Sequence, residues 1–154
     1  MIFTSVSEFL KANQPLKGEL LSVDLGAKKT GIAFSVLERK SCVPWEVIYE
    51  ASQEKLLIEI KKMMKEKNCN FVILGFPFAW EEGLSAKRIM NFAKLLAKHE
   101  IQVLLYDENS TSIKVREIIY ESKGKMKKSE KQSYDAQVAA LILSNAIDDI
   151  ISNL

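Results

Sequence analysis

The sequence is poor in residues on which several classes of protein depend. Its 154 residues include one histidine and two cysteines. A single histidine argues against a histidine-based metal site or a Ser–His catalytic pair. Cys42 and Cys69 form no CxxC pattern and lie in or beside apolar runs, which is typical of reduced thiols in a cytoplasmic protein. No apolar run reaches the ~18 residues of a membrane span. The N-terminus lacks the basic start and long apolar core of a signal peptide.

A strong charge of either sign is also missing. Lysine and arginine number 22 and the acids 20, so the net charge of +2 does not by itself indicate a polyanionic partner. The 47% hydrophobic content is that of a globular protein with a proper core. We expect one domain, 1–154, with its core at about 19–151 behind a short extension, 1–18. The sequence leaves monomer and homodimer open.

The hydrophobic pattern predicts three strands, followed by a helix, strand, helix, strand and two helices. Because strands alternate with helices after an opening meander, we expect an α/β fold. Its mixed five-stranded sheet combines antiparallel and parallel strands and is flanked by helices. The predicted strands are 19–24, 31–37, 43–49, 70–74 and 101–106. The predicted helices are 7–12, 53–67, 84–99, 112–121 and 130–151, the last capped by Ser129 after a lysine-rich loop, 124–131.

Four acidic residues stand at suggestive places. Asp24 ends the first strand of the meander, and Asp107 and Glu108 end the last strand. Sites in such sheets gather at the carboxyl ends of strands. Asp135 should point at the sheet, because it shares a helical face with small apolar residues. That face consists of Ala139, Ile142, Ala146 and Ile150.

Converging carboxylates repel one another unless a cation compensates them. All-oxygen ligands suit Mg²⁺ or Mn²⁺ rather than zinc. Two such ions about 4 Å apart can activate water and stabilise the leaving oxygen in phosphodiester cleavage. Each acid also has a simpler explanation. Asp24 could cap a turn, Asp135 could favour a helix N-terminus, and Asp107 and Glu108 could be solvated loop residues.

Basic and aromatic residues lie near these acids in the sequence. Lys28 and Lys29 follow Asp24, and a run of lysines precedes Asp135. They could neutralise phosphates, or the run could be a solvated loop. Trp80 could stack on an unpaired base, pack locally or form an oligomer contact. The lysine run consists of Lys123, Lys125, Lys127, Lys128 and Lys131.

Four motifs in order are similar to those of the YqgF/RuvX family of Holliday-junction-resolvase-like nucleases. They are LLSVDLGAKKTGIAFS, VILGFP, LLYDENSTS and DAQVAALIL, and they span most of the chain. The resemblance implies a ribonuclease H-like fold and a divalent-metal site. It also implies a nuclease that matures 16S ribosomal RNA ends or, by an alternative proposal, resolves four-way DNA junctions. Family roles fall on Asp24, Glu108 and Asp135 as catalytic, metal-binding acids, with Asp107 as a further metal ligand.

Two departures from the family pattern keep other functions open. Asn109 stands where the family commonly has arginine, and Phe78–Gly83 lacks the usual Asn and Asp-Gly. A nucleic-acid-binding module with weak catalysis is therefore an alternative. The Asp-x-Gly turn also occurs in actin-like ATPases and sugar kinases, but those enzymes close two such domains over a nucleotide, and this chain supplies one.

Overall fold

The computed structural model of the chain describes residues 1–49, 52–108 and 128–154, with side chains of the last range described from Asp135 onward. Its strands are β1 (Ile2–Phe3), β2 (Glu19–Leu25), β3 (Lys29–Val36), β4 (Ser41–Tyr49), β5 (Cys69–Phe76) and β6 (Gln102–Asp107). Its helices are α1 (Val6–Ala12), α2 (Gln53–Glu66), α3 (Leu84–Lys98) and α4 (Lys128–Ser152).

Within the described residues, the strands form one mixed sheet in the order β1-β6-β5-β2-β3-β4. Strands β2, β3 and β4 make the predicted antiparallel meander, whereas β2, β5, β6 and β1 run parallel. The α/β class and the mixed sheet are therefore confirmed. Parallel pairing places the carboxyl ends of β2, β5 and β6 at one edge of the sheet.

The predicted count of five strands is one too low, because β1 adds a sixth. Its two residues, Ile2 and Phe3, pair in parallel with Val103 and Leu104 of β6. A strand of two residues is too short to show alternation, so periodicity could not reveal it.

Helices cover both faces of the sheet. On one face α2 and α3 pack through residues such as Ile60 and Phe92. On the other, α1 and α4 pack through residues such as Phe9 and Leu143. These four side chains are fully buried. None of the described helices is both long enough and apolar enough to cross a membrane.

The start of α4 corrects one prediction. Lys128 and Ser129 are already helical, so Ser129 is not the N-cap, and the predicted loop 124–131 overlaps the helix. The polarity of this segment misled the prediction, because lysine and glutamate are also good helix formers. The predicted helix 112–121 and Lys123, Lys125 and Lys127 lie outside the described residues.

Candidate active site

Two of the predicted acids lie at the carboxyl edge of the parallel strands. Asp24 is the penultimate residue of β2 and is 9% exposed. Glu108 directly follows β6, and its backbone N–H donates to the Phe76 carbonyl oxygen at 3.3 Å. This bond continues the parallel pairing of β5 and β6 by one residue and fixes the backbone that carries Glu108.

Gly31 brings α4 against the sheet beside Asp24. A Cβ on Gly31 would lie 2.2 Å from the carbonyl oxygen of Asp135, a separation that atoms do not adopt. Glycine is therefore required for the observed approach. Gly31 is also the cross-strand partner of Asp24. The same contact consequently places Asp135, which is 7% exposed, next to the end of β2.

Gly75 makes room for Glu108 in a similar way. A Cβ on Gly75 would lie 3.1 Å from Glu108 Oε2 and 2.9 Å from Ile142 Cδ1. Gly75 follows Leu74, whose partner on β2 is Val23, and so runs alongside Asp24. The missing side chain at the end of β5 thus leaves space that the Glu108 carboxylate approaches.

The neighbouring acids Asp107 and Glu108 take different positions. Asp107 pairs in register with Phe76, and successive side chains of a strand point to opposite faces. Glu108 therefore shares the α4 face of the sheet with Asp24, whereas Asp107 points to the other face and is exposed. The structure brings Asp24, Glu108 and Asp135 together and leaves Asp107 out.

These three acids line one cleft of about 480 Å³. The two lysines predicted to contact nucleic acid, Lys28 and Lys29, line it with them. The other lining residues are Leu25, Gly26, Ala27, Ser85 and Arg88. A larger cavity of about 770 Å³ lies between the C-terminal part of α4 and the turn after β3, and Glu38 is the one acid among the described residues that line it. Because converging titratable groups indicate chemistry better than volume does, the smaller cleft is the candidate site.

Lys29 partly compensates the charge in this cleft. Its Nζ lies 2.8 Å from Asp135 Oδ2, and the two side chains are 43% and 11% exposed. The contact is ionic rather than a directed hydrogen bond, since this buried oxygen accepts no hydrogen bond of good geometry within the described residues. An acceptor oxygen with remaining capacity beside other carboxylates suits a cation.

The donor set fits a hard divalent cation in its chemistry, because it consists of carboxylate oxygens. Within the described ranges, no three acidic, histidine or cysteine side chains are grouped as the ligands of one ion. The acids share a cleft without forming a closed ligand sphere. An ion held by Asp135 Oδ2 would compete with Lys29 for this oxygen.

Sequence reasoning missed Ser85 and Arg88, which line the cleft from the start of α3. Gln53 Nε2 at the start of α2 donates to the Arg88 carbonyl oxygen at 3.1 Å and ties the two helices together there. A usable signal existed. A helix that follows a parallel strand begins near the carboxyl edge of the sheet, where sites form.

Trp80 lies in a short 3₁₀ turn, Phe78–Trp80, and is 73% exposed. Its indole is therefore not packed against the described part of the domain. Trp80 is also absent from the lining of the acidic cleft. Base stacking and an oligomer contact remain the two open roles for this side chain.

Comparison with known proteins identifies the family. The model of the family described as "RuvX: Holliday junction resolvase" matches residues 18–149. The chain belongs to this family. The motif resemblance is thereby confirmed, and the RuvX match includes Asp24, Glu108 and Asp135.

Curated relatives of this RuvX protein carry a consistent name. A protein of Orientia tsutsugamushi named "Putative pre-16S rRNA nuclease" is 30% identical over 146 residues, covering 93% of this chain and 90% of that protein. An identically named protein of Ehrlichia canis is 28% identical over 155 residues, covering 98% and 97%.

Solved structures show the same fold. RuvC of Thermus thermophilus in complex with a Holliday junction substrate has a TM-score of 0.51 at 12% identity, covering 89% of this chain and 98% of that one. A second structure of Thermus thermophilus RuvC has a TM-score of 0.52 at 9% identity, covering 86% and 96%. These identities support the ribonuclease H-like fold alone.

Proposed function

We propose that this protein is a metal-dependent nuclease that hydrolyses phosphodiester bonds at the ends of precursor 16S ribosomal RNA. The observation that carries the proposal is the convergence of Asp24, Glu108 and Asp135, from three separate elements, on one cleft that Lys28 and Lys29 also line. The name shared by the relatives supports the choice of substrate. Processing of ribosomal RNA would place the protein in the cytoplasm.

Asp24, Glu108 and Asp135 would hold Mg²⁺ or Mn²⁺ in this cleft. When bound, such ions lower the pKa of water and stabilise a leaving oxygen. The three carboxylates belong to segments that the sheet and α4 fix relative to one another. Asp24 would hold the ion from the end of β2, together with Glu108 and Asp135.

The lysines of the cleft would hold the nucleic-acid backbone. Lys28 and Lys29 lie in and beside the turn after β2, and Lys29 already pairs with Asp135. As a phosphate enters, the Lys29 ammonium could exchange the carboxylate for a phosphate oxygen. Lys128 and Lys131 lie on the helix that carries Asp135, and we propose that they extend the same contact together with Lys123, Lys125 and Lys127.

Cleavage of four-way DNA junctions is the second candidate activity. It is favoured by the description of the family and by the fold shared with RuvC. The open cleft by itself accommodates a phosphodiester of either nucleic acid, so geometry does not separate the two substrates.

The two activities can be compared directly in one assay. The purified chain is incubated with Mn²⁺ and either precursor 16S ribosomal RNA or a four-way DNA junction, each with an EDTA control. We expect shortening of the RNA that EDTA abolishes, and an intact junction. Cleavage of the junction alone would favour the second activity. Binding of RNA without cleavage would instead favour a binding module.

A further inference from the structure

A second, smaller cavity adjoins the acidic cleft across the turn that follows β2. Its volume is about 260 Å³, and it shares six lining residues with the cleft. The shared residues are Leu25, Gly26, Ala27, Lys28, Lys29 and Arg88. The other described residues of its wall are Thr30, Ile48, Ser52, Gln53 and Leu56.

The charge of this second cavity differs from that of the cleft. Among the described residues, its wall contains Lys28, Lys29 and Arg88 and no acid, whereas the cleft combines the same cations with three carboxylates. The hydroxyls of Thr30 and Ser52 and the amide of Gln53 add polar groups. The cavity is therefore suited to an anion, whereas the acids of the cleft suit a cation.

The backbone around this cavity is held by specific contacts. The Gly26 N–H donates to the Lys29 carbonyl oxygen at 3.0 Å and closes the turn that carries Lys28. Gln53 Nε2 donates to the Arg88 carbonyl oxygen at 3.1 Å, and Arg88 precedes the buried Ile89. Such fixed supports lower the entropy lost when a ligand binds.

We propose that this cavity is a phosphate pocket that binds a phosphate group of the nucleic acid other than the one being cleaved, with Arg88 as its principal contact. The inference rests on the proposed nuclease function. A guanidinium can donate two parallel hydrogen bonds to phosphate oxygens, and the lysines add charge. The volume lies below that of most pockets for whole ligands, so it admits a phosphate and part of a sugar rather than a stacked base pair.

Such a phosphate can come from two sources. It can be an internal phosphodiester on the strand that enters the cleft, or a terminal phosphomonoester at the end of the strand. Both present the same oxygens to Arg88. They differ in whether a terminal phosphate strengthens binding.

The first test measures binding without cleavage. A short single-stranded RNA with a fluorescent label is titrated in EDTA against the parent chain, Arg88→Gln and Lys94→Gln. Lys94 is an exposed cation on the same helix, and it lines neither cavity. We expect about tenfold weaker binding for Arg88→Gln, as for the loss of one charge-assisted contact, and parent-like binding for Lys94→Gln.

The salt dependence of binding gives an independent readout. The slope of log affinity against log salt should fall by about 0.7 in Arg88→Gln, as for one lost phosphate contact on a single strand. Arg88→Lys keeps the charge without the paired N–H groups and should have intermediate affinity. Circular dichroism checks that each variant is folded.

A scan with neutral methylphosphonate linkages and with added 5′ or 3′ phosphates locates the phosphate. One internal linkage whose neutralisation weakens the parent but not Arg88→Gln identifies the internal source. A terminal phosphate that strengthens only the parent identifies the terminal source. Equal affinities of the parent and Arg88→Gln, with RNA bound and cleaved by both, would overturn the phosphate pocket alone. A parent that neither binds nor cleaves nucleic acid would overturn the proposed function as well.

Discussion

Two glycines determine how closely the acidic side chains can approach one another. Gly31 allows the backbone of α4 at Asp135 to touch β3, and Gly75 leaves space for the Glu108 carboxylate. At Gly31 the contact is with backbone, which cannot rotate away. At Gly75 it is with the ends of side chains, which can.

Replacing Gly31 with alanine should therefore destabilise the whole domain. The added Cβ would overlap the Asp135 carbonyl oxygen and force α4 away from the sheet. We expect the free energy of unfolding to fall by about 1–3 kcal/mol, as for overpacked sites. Urea unfolding followed by circular dichroism measures the change. An unchanged urea midpoint would show that α4 does not lie this close to β3.

Replacing Gly75 with alanine should separate activity from stability. The new methyl group displaces Glu108 Oε2 and Ile142 Cδ1, both of which can move. We expect a loss of about 1 kcal/mol or less in unfolding free energy, but a clear loss of cleavage. Cleavage and urea assays on the same preparation give both values. Full cleavage by Gly75→Ala would show that Glu108 does not act from this position.

Lys29 forms an ion pair with Asp135 in the cleft. Removing its ammonium in Lys29→Gln leaves the buried Asp135 carboxylate without its ion pair. Because Lys29 is half exposed, we expect metal-free unfolding free energy to fall by only about 1 kcal/mol. Mn²⁺ should then raise the melting temperature of this variant more than that of the parent.

Lys28→Gln is the matched control, since it removes the same charge from the adjacent residue and leaves the Lys29–Asp135 pair in place. It should respond to Mn²⁺ as the parent does. An equal response of Lys29→Gln and the parent would show that Lys29 and the ion do not share Asp135.

At the scale of the element, β1 and α1 form part of the core. Phe9 of α1 is fully buried, with its ring centroid 5.6 Å from that of Phe3 and 5.2 Å from that of Phe71. Both pairs are edge-to-face, which aromatic rings favour. The first residues thus join α1 to β5 and to the edge of the sheet.

Phe9→Ala should accordingly cost about 3–5 kcal/mol of unfolding free energy, as for a large buried aromatic side chain. Leu84→Ala, at a position that is 80% exposed, should change it little. Urea unfolding compares the two variants. A Phe9→Ala midpoint equal to that of Leu84→Ala would place α1 outside the cooperative unit.

The sequence predicts elements better than it predicts their edges. Strands β2 to β6 and helices α1, α2 and α3 follow from hydrophobic pattern and length. The pattern does not predict β1, because two residues are too few to show a period. It also does not predict the early start of α4, because a lysine-rich segment is compatible with a helix as well as with a loop. The sequence pattern places Asp107 and Glu108 together at the end of the last strand. Only the register of β6 in the sheet shows that their side chains face opposite sides.

In the whole molecule, some residues of the candidate site can likewise be predicted from the sequence and others cannot. The positions of Asp24, Glu108 and Asp135 could be inferred, because strand ends and a helical face point them to one edge. The order of elements puts the start of α3 near the same edge, but to find that Ser85 and Arg88 line the cleft also required the placement of α3 relative to the turn after β2. That placement depends on packing across the sheet, which local sequence does not encode.

The stability of the whole domain should decrease at alkaline pH. Burial raises the pKa of the Cys69 thiol from 9.0 to about 12. Burial and the hydrogen bond to Asp149 raise the pKa of Tyr106 above 10.0. The folded state thus binds more protons than the unfolded state at high pH, so stability that is fully present below pH 9 is lost progressively above it.

The variant Cys69→Ala separates the contribution of the Cys69 thiol to this loss of stability from the contributions of other groups that titrate at high pH. Between pH 8 and pH 10.5, the urea midpoint should decrease more in the parent than in Cys69→Ala, because the variant has no thiol at this position to ionise. An identical decrease in both proteins would show that the Cys69 thiol is not held neutral by the fold.

The proposed function depends on metal-dependent cleavage by the acids of the cleft. The most direct test is the Mn²⁺-dependent cleavage rate of precursor 16S ribosomal RNA by Asp24→Asn, with Asp107→Asn as the matched control on the opposite face of the sheet. We predict that Asp24→Asn keeps the parent's circular dichroism spectrum and loses cleavage, while Asp107→Asn cleaves at close to the parent rate. A folded Asp24→Asn protein that cuts RNA as fast as the parent would show that Asp24 does not take part in cleavage.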